Sequence, residues 1–390
     1  MKKYLIILLI IIIISFACSK KGKNPALPGT PTETPTITPT LTFTNTVNLS
    51  NNVGSIECGD YHTSLLTKDE KLLMTGSNWF YQLGLNDNYD RNKLIQVIDN
   101  VKEAECGGFH NLVVKKDGTL WGTGHNGYGQ LGTGDANTIT VWTQVLTDVN
   151  KVTAGNRHSI VLKNDGTIWA TGFNTAGQLG TGDFNDRRQW YQVLTYVADA
   201  IDVFSGDYHS FVLRTGGILL ATGYNYYGQL GKGDNYSINE WTPVCNNVSK
   251  VAAGEFHTLV LKTDNTLWVA GRNNYGQLGT ADNNDLNTFA QVLTGVIEIA
   301  AGASHSLALL SNNILMATGC NEKGQFGNGN YNNSNTWIQV ATGIQKIAAG
   351  KEHSIILKLD GNLWATGNND YGQLGRGNTI STNTWVKISN

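Results

Sequence analysis

Over residues 241–271, apolar and polar positions alternate with a period of two, and Val, Leu, Thr and Trp are frequent. That period puts successive side chains on opposite faces of an extended chain, so the stretch predicts strands. Four are expected, at 241–245, 250–254, 257–262 and 266–271. Asn246–Ser249, the pair Glu255-Phe256, and Thr263-Asp264-Asn265 form the turns between them. In sister stretches the last turn carries Asp117-Gly118, Asp165-Gly166 or Asp360-Gly361, a hairpin signal because glycine accepts positive φ.

The stretch returns seven times. Its histidine stands at His62, His110, His158, His209, His257, His305 and His353, and its GQLG-type segment ends at Gly84, Gly132, Gly180, Gly231, Gly279, Gly327 and Gly375. A fixed period near 50 residues is the mark of a repeat architecture. Connections of two to five residues join antiparallel neighbours, whereas the link containing GQLG runs for about 17–20 residues. The link is therefore expected to cross from one four-stranded sheet to the next. Seven such sheets predict an all-β fold, a seven-bladed β-propeller of four-stranded blades. The first copy, from Val53, has no Trp-x-Gln-Val strand before it, and the chain ends on a spare one, Thr384–Ser389. The C-terminal strand is thus expected to complete the first blade and close the ring, with residues 41–49 as the other source of that strand.

Composition changes the picture in two places. A length of 390 residues would ordinarily mean two or three domains, but seven like units make one body over residues 53–390. Lys and Arg number 28 against 30 Asp and Glu, a net charge of −2, so no basic face is available to neutralise phosphates and a nucleic-acid partner is excluded.

The first 18 residues have another character. A basic start at Met1–Lys3 leads into an apolar run, Tyr4–Ala17, and then Cys18. This resembles a bacterial lipoprotein signal with Cys18 as the lipidation site, although Ser15 and Phe16 depart from the usual pair before the cut. The run of 14 is short for a bilayer span, which takes roughly 20 residues. Residues 19–52 read as a tether, because five of the six prolines alternate with Thr between 24 and 46. The resemblance implies a protein of the cell envelope, held to a membrane by the N-terminal lipid alone.

Together the AGxxHS, Asp-Gly, LWATG and NxxGQLGxG elements resemble the regulator-of-chromosome-condensation repeat family. That resemblance implies a seven-bladed propeller over residues 53–390, and family members include a nuclear exchange factor for a small GTPase and a secreted inhibitor of β-lactamases.

No arrangement of residues supports catalysis, a metal or a cofactor. The seven His occur once per blade, so they form a ring rather than a cluster of ligands, and each is expected to bond backbone near its turn. Gly127–Gly132 spells GxGxxG but no helical period follows it, so it is no dinucleotide site. The GxGD acids, such as Asp135 and Asp183, are too few per site for calcium and should cap their own turns. Cys58 and Cys106 fill a small-residue position, as packing thiols or, in an oxidising compartment, as a disulfide. No carboxylate pair stands apart.

Comparison of the copies singles out a surface. Alternating strand direction places the AGxxHS turn and the start of the GQLG link on one face. There the copies disagree, and they offer Tyr61, Trp79, Phe80, Phe109, His125, Arg157, Phe173, Tyr208, Tyr224, Tyr226, Phe256 and Arg272. Aromatic residues and Arg are enriched in binding hot spots. Tyr128, Tyr227, Tyr275 and Tyr371 recur at one register and read as packing. The expected function is an exported, monomeric, non-enzymatic module that grips a protein through this face, a cell-wall or β-lactamase-type enzyme being one case. A glycan-binding or lyase-like propeller, an exchange-factor-like role and a structural surface layer are the alternatives.

Overall fold

The computed structural model describes residues 49, 51–194 and 199–388; the signal, Cys18 and most of the tether lie outside them. The described chain forms seven four-stranded antiparallel sheets, each made of four consecutive strands. In the first blade these are β1 (Val53–Cys58), β2 (His62–Thr67), β3 (Leu72–Gly76) and β4 (Arg91–Ile98). A single 3-10 turn, Thr215–Gly217, stands where other copies carry a plain hairpin turn.

Burial follows position in the blade. The first strands line an axial cavity. Second strands are covered on both faces, as in His62–Thr67. Fourth strands form the outer edge and are only partly covered, as in Ile238–Cys245. Seven apolar clusters fill the gaps between blades. One joins Leu66, Leu72, Met74 and Leu83 to Val101, Ala104 and Val113 of the next blade. A small sheet cannot hide both faces alone, and stacking between two like neighbours hides them.

Seven blades stand as expected, but their strand membership does not. The GQLG link joins β3 to β4 within one blade, and the two-residue turn Asp99-Asn100 crosses between blades. Residue count misled because the link is folded, not stretched. Asn78 Oδ1 accepts from Leu83 N at 2.9 Å, Asn78 Nδ2 donates to Asp87 O at 2.6 Å, and Leu83 is fully buried. Asn100 takes φ 57°, a left-handed value that lets two residues reverse the chain.

The C-terminal strand accordingly does not complete the first blade. Thr382–Lys387 pairs with Leu363–Gly367 of its own blade, and β1 pairs with β2. Packing closes the ring instead, through a cluster that joins Val53, Ile56 and Leu65 to Ile355, Leu363 and Leu374. An isolated bridge, Lys93 to Arg376, and a bond between Thr63 Oγ1 and His353 Nε2 at 2.9 Å span the same seam.

The repeated glycine of the link serves this stacking. Gly84 has φ 69°, and a Cβ there would lie 2.6 Å from the Trp142 ring of the next blade. The same fit recurs at Gly132 with Trp190 and at Gly180 with Trp241.

Candidate functional site

The seven histidines tie each blade to the next. Each His Nε2 meets the residue after the histidine of the next blade. The seven bonds, from His62 to Asn111 around to His353 and Thr63, measure 2.8–3.0 Å. Each receiving side chain in turn donates to the Gln carbonyl of a GQLG-type segment, as Ser159 Oγ does to Gln130 O at 2.7 Å and Asn111 Nδ2 to Gln82 O at 2.7 Å. With its donor spent on that carbonyl, the hydroxyl must accept from the histidine, which places a proton on Nε2. Burial pushes His158 down to about 3 and His257 to about 4. The expected bond to nearby backbone is replaced by a stitch between blades.

The AGxxHS turns and the link starts share one face, as the pairings Cys58↔Thr63 and His62↔Gly76 require. On it the disagreeing side chains meet in two networks. In one, Tyr371 meets Tyr61 at 5.2 Å between ring centres, Tyr61 meets Phe109 at 6.4 Å, and Phe80 bridges Phe109 and His125 at 5.1 Å each. His125 continues to Tyr128 at 5.9 Å and Tyr128 to Phe173 at 5.1 Å, with Arg157 lying 4.9 Å over Tyr128. In the other, Tyr208 stacks on Phe256 at 5.7 Å, Tyr224 touches both, and Arg272 lies 5.0 Å over Tyr227.

These residues do not all face outward. Trp79 and Tyr226 are exposed at 63% and 54%, while Tyr224 and Phe256 are buried beneath the second network and serve as its floor. Comparing copies missed the outer rim: Tyr89, Phe184, Tyr236 and Tyr331 are 51–78% exposed in loops just before the fourth strands. They occupy the first or second position after the Asp or Asn that ends the GQLG-type link (Asp87, Asp183, Asp234, Asn330), positions that also vary between copies and would have shown them. Asp183 caps its turn as expected, its Oδ1 accepting from Asn185 N at 3.0 Å.

The axial cavity, about 450 Å³, corrects the expectation that no carboxylates cluster. Around one level stand Glu103, Lys151, Asp202, Lys250, Glu298 and Lys346, alternating in sign, with Ser55 as the seventh. Lys151 Nζ is 3.3 Å from Glu103 and Lys250 Nζ 3.8 Å from Glu298. Beside this belt lie Glu57 and Glu105. Burial, outweighing Lys250 and joined by repulsion from Glu298 and Glu103, raises Glu57 to about 7. At the mouth, Asn156 Nδ2 donates to both Asp60 and Asp207 at 3.3 Å, and Lys351 pairs with Asp60 at 3.6 Å. In sequence the charges read only as solvent-facing positions of strands.

Cys58 and Cys106 are unbonded thiols; Cys106 Sγ donates to Ser64 Oγ at 3.2 Å. Burial raises both far above the ordinary thiol value.

Two family profiles, both described as regulator of chromosome condensation (RCC1) repeat, match this chain. One matches residues 101–130, 149–178, 200–229, 248–277, 296–325 and 344–373. The other matches 117–162, 165–213, 216–261, 264–309 and 360–389, more than half of the sequence. The chain belongs to the regulator of chromosome condensation repeat family. No curated protein matches it in sequence. Among solved structures it is similar to human WBSCR16, with 20% identity and a TM-score of 0.75 over 82% of this chain and 94% of that one. It is also similar to Prp20p of Saccharomyces cerevisiae, with 17% identity and a TM-score of 0.70 over 78% and 82%. Yeast RCC1 (Prp20) in its complex with Kap60 gives 19% and 0.72 over 95% and 91%. At these identities the likeness is one of fold. The shared fold places the two aromatic networks on one end of a closed disc whose axis is acidic.

Proposed function

We propose that this RCC1-repeat propeller is an exported interaction module, tethered by an acylated Cys18, that docks a protein on its AGxxHS face. One observation carries the reading. Among the described residues, Trp79, Tyr89, Phe184, Tyr226, Tyr236 and Tyr331 are exposed aromatics on this face, and Tyr191, on an outer strand, is the exposed aromatic elsewhere. The opposite face carries turns that satisfy themselves, as where Asp165 Oδ1 accepts from Thr167 N at 2.9 Å. Exposed rings gathered on one side of a fold mark an interaction surface.

The basic start, apolar run and Cys18 support export, and residues 24–46 support a spacer between lipid and propeller. Prp20p, similar in fold, is described with binding properties to Gsp1p and histones. An exchange-factor role of that kind would need a partner inside the cell, so an exported chain fits an envelope partner better, an enzyme of cell-wall or β-lactamase type included. The rim tyrosines favour one second reading, stacking on a glycan.

Cross-linked capture from the native envelope tests the proposal, using wild type, Trp79→Ala/Tyr226→Ala and Tyr191→Ala. The face variant should lose a protein that wild type and Tyr191→Ala retain; capture by all three overturns the docking face. Retention on a glycan array, lost in the same variant, would favour the sugar reading. Mass spectrometry of the membrane fraction should find diacylated Cys18.

A further inference from the structure

Asp60, Tyr61 and Lys351 show how the axial mouth holds a cation. Lys351 Nζ lies 3.6 Å from Asp60 Oδ2 and 5.6 Å from the centre of the Tyr61 ring. An acid followed by an aromatic thus makes one seat, in which a carboxylate and a ring face share an ammonium.

The same dipeptide recurs at the same register in two adjacent blades, as Asp207-Tyr208 and Glu255-Phe256. Tyr208 and Phe256 are stacked, 5.7 Å apart and 9° from parallel. Among the described residues neither Asp207 nor Glu255 has a Lys or Arg within 4.0 Å. Arg272, 5.8 Å over Phe256, does not reach Glu255 at that distance. The lining of the cavity holds eight carboxylates against four lysines, so the deficit is of positive charge. Burial, with Asp60 and Glu255 nearby, outweighs Lys351 and the Asn156 hydrogen bond and pushes Asp207 well above the carboxylate range, and burial likewise outweighs Lys351 and Arg272 at Glu255. A carboxyl in that condition gains from an arriving cation.

We propose that the docked partner inserts a lysine or arginine side chain into the axial mouth, seated on Asp207 and Glu255 against the Tyr208–Phe256 stack. This rests on the reading that the face docks a protein, and it states the chemistry that protein must present: a basic tip on a protruding loop or chain end. The axis would then fix the partner's position while the exposed rings around it cover the surface.

The test titrates the full chain with a Gly-Arg-Gly-Arg-Gly-Arg peptide and with its citrulline counterpart, which keeps the shape and loses the charge. The arginine peptide should bind, and the citrulline peptide should bind at least about tenfold more weakly. Asp207→Asn/Glu255→Gln should also lose about tenfold, with a melting temperature equal to or above wild type, while Asp264→Asn on the opposite face stays as wild type. Equal binding of the two peptides overturns the proposal, whatever the variants do. So does unaltered arginine binding by Asp207→Asn/Glu255→Gln. Capture of the native partner separates the two readings. If Trp79→Ala/Tyr226→Ala abolishes it and Asp207→Asn/Glu255→Gln preserves it, the cation seat is lost and the docking face remains; if both preserve it, both are lost.

Discussion

Glu57 is held where its charge is poorly solvated. Burial is the largest cause, Glu298 and Glu103 add repulsion, and Lys250 and Lys346 offset only part of it, so its value rises from 4.5 to about 7. A carboxyl whose folded value is raised takes up a proton on folding. Its contribution is favourable at low pH and is lost as pH climbs through about 7. Glu57→Gln should therefore stabilise the propeller by on the order of 1 kcal/mol at pH 8 and leave it unchanged below pH ~5. Melting curves of the two proteins at those pH values measure this, and a gain of equal size at both would contradict it. The face residues were legible because the copies disagree there, and Trp79 and Tyr226 are exposed as that disagreement implies. Glu57 and its belt were not legible. A strand such as Val101–Cys106 mixes apolar and charged side chains in the same way whether its charged side meets bulk water or six sister strands across a narrow axis.

At the scale of elements, the second strand is the stitch. His158 donates to Ser210 at 2.8 Å and Ser210 donates to Gln178 O at 2.8 Å, so one hydroxyl joins the strand and link of one blade to the second strand of the next. Ser210→Ala leaves a buried donor and a buried acceptor without partners and should cost about 1–3 kcal/mol in urea unfolding, whereas Thr258→Ser keeps its hydroxyl and should cost under about 1 kcal/mol. Acid acts on the whole stitch. The histidines are lowered on folding, to about 3 for His110, His209, His305 and His353. A lowered histidine gives stability that is present above its unfolded value of 6.5 and lost as pH falls below it, at about 1.4 kcal/mol per histidine per pH unit. Raised carboxyls such as Glu57 and Glu105 act in the opposite sense over part of that range. The urea midpoint should thus fall between pH 7 and 5, and fall more steeply in Glu57→Gln/Glu105→Gln. A flat profile in that variant would mean that the folded ring protonates its histidines. The strands themselves were plain in the period-two pattern. Their grouping was not, because a loop that folds on its own Asn and Gln, as Ser77–Asp90 does through Asn78 and Gln82, spans less than its length suggests.

Residues 51–388 form a ring whose seam, between Ile388 and Asn51, lacks the short covalent turn of the other joints. At the first joint, Ile98 pairs with Leu72, and Lys116 N donates to Asn100 O at 3.2 Å. At the seam, Ile388 N donates to Leu363 O at 2.9 Å, and Lys68 N donates to Asn52 O at 2.8 Å. Val386 pairs with Ala365 as Ile95 does with Met74, so Ile388 stands where Val97 stands, Asn51 stands where Asp99 stands, and one position, that of Ile98, lies between them. The sequence showed seven copies but placed the break inside a blade, and the two frames predict different circular permutants. In one permutant, a single glycine joins Ile388 to Asn51 and the chain opens between Asp148 and Val149, at a joint. In the other, the same closure is opened between Asn126 and Gly127, inside a link. The joint-opened chain keeps every four-strand blade continuous and should unfold cooperatively within about 2 kcal/mol of wild type. The link-opened chain detaches the fourth strand Ile139–Leu146 from Leu120–Gly124 and frees Asn126, which holds the link through Leu131 N at 2.9 Å. It should lose several kcal/mol or fail to fold, since a buried link and an outer strand must then find their places without a covalent neighbour. Urea titration followed by tryptophan fluorescence distinguishes them. The reverse order of stability would restore the blade boundary to the GQLG link and remove the joint at Asp99-Asn100.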